Sequence, residues 1–119
     1  MLMMAACLLV LCALVHSVLG EHYILRSLCR RDNLPKLLGG DSFTKGTLRF
    51  AWHITSFAWL GFAALLLLWP LTAAEILYSI SLVFICSGLF SVYYTKGKHL
   101  SWLVFFAIAL LCIAAVPAS

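Results

Sequence analysis

Charge is scarce in this chain, and negative charge scarcest. Asp and Glu number four in 119 residues, Glu21, Asp32, Asp41 and Glu75, and charged residues of both signs make up 10%, against about 25% in ordinary globular domains. That excludes a soluble domain. It also leaves acid–base chemistry without neighbouring carboxylates, and no nucleophile elbow, glycine-rich phosphate loop or metalloprotease motif is present. Neither an enzyme nor a nucleic-acid partner is expected. Proline is confined to Pro35, Pro70 and Pro117, none of them inside a long apolar run. Cys7, Cys12, Cys29, Cys86 and Cys112 lack redox or metal spacing, so no disulfide is expected.

What the chain has is hydrocarbon: 65% of its residues are hydrophobic. A spanning helix needs about 20 mostly apolar residues and must satisfy its own backbone hydrogen bonds. Four runs qualify, at about 2–19, 48–69, 71–94 and 100–116. The expected fold is an all-α, single-domain, four-helix transmembrane bundle running up-down-up-down, with Pro70 forcing a tight turn between the second and third spans.

All eight basic residues fall in two places, Arg26 to Arg49 and Lys96 to Lys98. Cytoplasmic loops are enriched in Lys and Arg, so the basic loop 21–47 and the short third loop should face the cytoplasm, with both termini on the other side. Trp69 then marks the outer interface, and Trp52, Tyr93, Tyr94 and Trp102 the inner one. A competing reading makes residues 1–20 a secretory signal cut before Glu21. The start lacks a basic n-region, and cleavage would spoil the one-sided charge pattern, so four spans are the expectation.

Within the basic loop, His22 to Arg31 is expected to continue the first helix along the headgroups, with Arg26, Arg30 and Arg31 reaching for phosphates. Asp41, Ser42 or Thr44 can cap the second span. Orientation alone accounts for such a loop, and docking of anionic lipid or an acidic partner is the alternative.

The informative polar residues are His16, Glu21, Arg49 and His53, with Ser56, Ser87, Ser91 and His99 as company. At 1.5 Å per residue, His16 lies about 7 Å inward of Glu21, and His53 about 6 Å inward of Arg49. Ionisable groups in spans face the bundle interior, so an inner-leaflet polar pocket is expected, its mouth bracketed by a Glu21–Arg49 ion pair. Three roles compete. His16 and His53 can ligate haem or a transition metal. The cluster can relay protons or bind a polar headgroup. It can also be interhelical glue. No cofactor is the default expectation.

The segments HSVLGE (His16 to Glu21) and LRFAWH (Leu48 to His53) resemble motifs of small four-span inner-membrane proteins of bacteria. The resemblance implies a bacterial inner membrane, a four-helix bundle and pairing of the two motif-bearing helices, and it brings no activity. The leading functional expectation is a small binding or accessory protein in the bilayer, contacting anionic lipid, a larger membrane complex or another copy of itself. The alternatives are haem or metal binding and, lower, a minimal oligomeric transporter or channel.

Overall fold

A computed structural model describes residues 1–117, and those residues are all-helical, without a strand. Helix α1 runs Leu2–Cys29, α2 Ser42–Leu67, α3 Ala73–Thr95 and α4 Ser101–Ala114. The first three are long and apolar enough to cross a membrane. With 14 residues, α4 is about 21 Å long, short of the roughly 30 Å hydrocarbon core. The apolar run 100–116 is therefore longer than its helix. Pro117 disfavours helical backbone at the residue before it, and Ala115 and Val116 form a turn instead.

The His22–Cys29 segment continues α1 rather than leaving it, through a π-helical stretch at Gly20–Leu25. A π turn adds one residue to the usual α turn, so the Arg26 amide bonds the Glu21 carbonyl. Arg26 is thereby brought one turn beyond Glu21 on the same face, and Leu25 is buried, 1% exposed.

Helix α2 starts six residues before the apolar run does. Asp41 occupies the N-cap position without a side-chain cap bond and pairs instead with Lys45 one turn on. That lysine holds the Asp41 carboxyl below its ordinary value. The loop 30–41 is tied back by Thr44, whose hydroxyl donates to the Pro35 carbonyl at 2.7 Å.

At the start of α3, Thr72 and Glu75 form a capping box. The Thr72 amide donates to the Glu75 carboxylate at 2.8 Å, and the Glu75 amide to the Thr72 hydroxyl at 3.3 Å. Two amides the helix cannot satisfy are thus paired.

Packing joins consecutive helices: α1 with α2, α2 with α3, and α3 with α4. Gly46 meets Tyr94 and Gly61 meets Val83, while Ser81 bonds Ala109 and Ser91 bonds Ser101, so these neighbours run in opposite directions. The described residues extend 52 × 32 × 14 Å along their principal axes, and the main packing is between helices adjacent in sequence. The four helices lie in a flat layer with seams rather than a central core.

Small residues fill the seams: Ala6, Ala13, Ala63 and Ala109 are buried, as are Ser81, Ser87, Gly88 and Ser91. Larger ones such as Leu11, Phe62, Leu82 and Leu110 are exposed. This is the distribution expected where lipid tails, not a protein core, solvate the bulky side chains.

Candidate functional site

The segments 16–21 of α1 and 49–53 of α2 lie against each other. Gly20 leaves room for the Trp52 indole, which a Cβ there would strike. The indole N–H donates to the His16 carbonyl oxygen at 3.0 Å. The His16 ring stacks on Trp52 with centroids 4.5 Å apart and planes 2° from parallel, and Trp59 approaches it edge-on at 5.0 Å.

Glu21 is the hub of the adjoining cluster. Its Oε1 is 3.0 Å from Arg49 Nη2 and 3.9 Å from Arg26 Nε. Its Oε2 is 3.5 Å from His53 Nε2, an electrostatic contact that leaves this oxygen without a closed hydrogen bond among the described residues. The other nitrogen of His53, Nδ1, is 2.5 Å from Ser17 Oγ. A carboxylate opposite Nε2 favours the tautomer protonated there. Nδ1 is then bare and accepts the Ser17 hydroxyl proton. On its far side His53 rests against Phe90 and Tyr94 of α3.

The expected Glu21–Arg49 pair is thus present, but the eight expected pocket residues do not form one cluster. His53 joins Glu21 and Arg49, whereas His16 faces the tryptophans, and its Nε2 has no hydrogen-bond partner among the described residues. Stacking on Trp52 holds the His16 ring, while Ser17 and Glu21 contact the two nitrogens of His53. Among the described residues no group of three or more His, Cys, Asp or Glu is gathered closely enough to hold a metal ion.

Ser56 is buried with its hydroxyl unpartnered among the described residues. Ser87 donates to Val83 of its own helix at 2.7 Å. Ser91 and His99 lie at the same end of the helices but toward α4: both bond Ser101, at 2.7 and 2.9 Å, and His99 packs on Phe43 and Phe50.

Three residues not singled out for the site complete it. Ser17 is one turn before Glu21, a spacing that puts both on one helix face. Trp52 adjoins His53, and Tyr94 closes the cluster from α3. The i,i+4 spacing of Ser17 and Glu21 is the signal that could have found the first of these.

Two open clefts adjoin the cluster. One, of about 520 Å³, has Ser17, Glu21, Arg26 and His53 among its polar walls and Val18 and Phe90 among its apolar ones. The other, of about 450 Å³, is lined by Arg26, Cys29, Arg30, Lys45 and Arg49. Arg26 borders both. The second is strongly cationic, and Arg49 Nε is buried without an acceptor among the described residues.

The composition and the three long apolar helices define a helical membrane protein. Comparison with protein-family models, with curated proteins and with solved structures finds no match for this chain.

Proposed function

We propose that this chain is a small four-span protein of a bacterial inner membrane, with both termini outside, that binds the anionic headgroup of a lipid in the cytoplasmic leaflet. The carrying observation is the cleft walled by Arg26, Arg30, Lys45 and Arg49. Guanidinium groups match phosphate oxygens in a planar fork, and each Lys or Arg near an anionic surface is worth about 1 kcal/mol of attraction. Glu21 is shared between Arg49 and Arg26, so the cluster keeps net positive charge. The buried Arg49 Nε offers a donor that a phosphate oxygen satisfies.

The 14 Å thickness of the layer favours binding over transport, since one protomer encloses no path between its helices. In the four-span threading α4 compensates for its length by local bilayer thinning, a modest cost per ångström of mismatch.

The test is retention of lipid by protein purified in mild detergent from vesicles containing phosphatidylglycerol and phosphatidylcholine in equal amounts, read by native mass spectrometry. Phosphatidylglycerol should be retained in clear excess, and the double variant Arg26→Ala/Arg30→Ala should reduce that excess about thirtyfold, as expected from losing roughly 2 kcal/mol, about 1 for each arginine. Equal retention of the two lipids refutes the reading.

A further inference from the structure

The Ser17, His53 and Glu21 side chains have an arrangement that headgroup binding does not use. A hydroxyl, an imidazole and a carboxylate stand in series, with Ser17 Oγ 2.5 Å from His53 Nδ1 and His53 Nε2 3.5 Å from Glu21 Oε2. Arg49, 3.0 Å from the other carboxylate oxygen, holds the Glu21 side chain in place. A carboxylate facing Nε2 favours the tautomer protonated there, and that tautomer makes Nδ1 a base for the Ser17 proton. This is the logic of a nucleophile, a base and an orienting group, which is recognised by geometry rather than by sequence order. The longer of the two contacts is not a closed hydrogen bond; catalytic contacts are often long before substrate tightens them. Unlike the buried serines 81, 87 and 91, Ser17 borders an open cleft.

We infer that Ser17 is a nucleophile toward the ester bond of an anionic glycerolipid, with His53 as its general base and Glu21 as a positioning residue. The inference rests on the headgroup reading above, because Arg26 borders both the basic cleft and the one that Ser17 faces. Phosphate on the arginines leaves the acyl ester nearer the apolar walls formed by Val18 and Phe90.

In the reaction Ser17 Oγ bonds to the ester carbonyl carbon while its proton passes to His53 Nδ1. The bond from that carbon to the glycerol oxygen breaks, and the proton leaves with the alcohol. Water then attacks the acyl-serine by the same route and releases the fatty acid, restoring Ser17. The α1 amides are engaged in their helix, so charge on the carbonyl oxygen falls to Arg26 and His22, the cationic and ring donors of the same cleft.

The test is labelling of the full chain, in nanodiscs containing phosphatidylglycerol, by a fluorescent fluorophosphonate, with the modified residue located by peptide mass spectrometry. The expected label is on Ser17. Ser17→Ala should abolish it, and His53→Gln should slow it at least a hundredfold. Glu21→Gln should slow it about tenfold or more, with partial recovery in Glu21→Asp, a rescue that simple loss of packing does not produce.

Phosphatidylglycerol retention measured on the same samples reports that each variant is folded and separates the two claims. No labelling of wild-type protein that retains phosphatidylglycerol overturns the relay and leaves headgroup binding standing. Labelling on another residue, or at an undiminished rate in His53→Gln, overturns it too. Wild-type protein that labels at Ser17 without preferring phosphatidylglycerol overturns the headgroup reading and, with it, the anionic substrate.

Discussion

Trp52 lies flat on His16 and donates its indole N–H to the carbonyl oxygen of the same residue at 3.0 Å. One side chain thus fixes both the ring and the backbone of its neighbour across the α1–α2 seam. The approach requires that Gly20 carry no side chain, since a Cβ would collide with the indole.

Gly20→Leu should therefore push Trp52 off its bond and open the seam, costing about 1–3 kcal/mol, the usual range for overpacking. Thermal unfolding in detergent should show a lower midpoint, with tryptophan emission already altered before the transition. An unchanged midpoint and emission would mean that Trp52 is not seated there.

Gly46 plays the corresponding part between α2 and α3, where its Cα faces the Tyr94 carbonyl. Backbone cannot swing away as a flexible side chain can, so Gly46→Val should be more damaging than Gly61→Val, whose neighbour is the Val83 side chain. Relative unfolding midpoints of the two variants decide this, and the reverse order would contradict the packing described.

Thr72→Ala removes the hydroxyl half of the α3 capping box, and a loss of about 0.5–2 kcal/mol is expected. Hydrogen exchange should rise at the amides of Ala73 to Glu75 more than at the centre of α3. Uniform exchange along the helix would argue against the cap.

The Asp41–Lys45 pair predicts a mild pH effect at the start of α2. Lys45 lowers the folded-state pKa of Asp41, so its contribution is present above the unfolded-state value and is lost as pH falls through the folded one. Protection of the first α2 amides, taken relative to the intrinsic exchange rate at each pH, should fall on acidification in wild type, and less so in Asp41→Asn.

Hydropathy and the placement of arginines and lysines made the helices legible, because a bilayer demands long apolar segments whatever their arrangement. Their assembly into a flat layer was not legible, since small residues such as Ala13, Gly61 and Ser91 line seams equally well in a closed bundle. The Glu21–Arg49 pair followed from depth and opposite charge. The separation of His16 from His53 did not, because depth fixes a level along the helix and not the direction a ring faces. His99 lies at the same end of the helices, yet Phe43, Phe50 and Ser101 hold it apart from the Glu21 cluster.

The account depends most on the carboxylate of α1 meeting the guanidinium of α2. A double-mutant cycle of Glu21→Gln and Arg49→Gln, followed by reversible unfolding in mixed micelles, measures that contact apart from the effect of either substitution alone. A coupling of at least about 1 kcal/mol is predicted, as found for residues in one charged network. Costs that add to within about 0.3–0.5 kcal/mol, the range for independent sites, would contradict it.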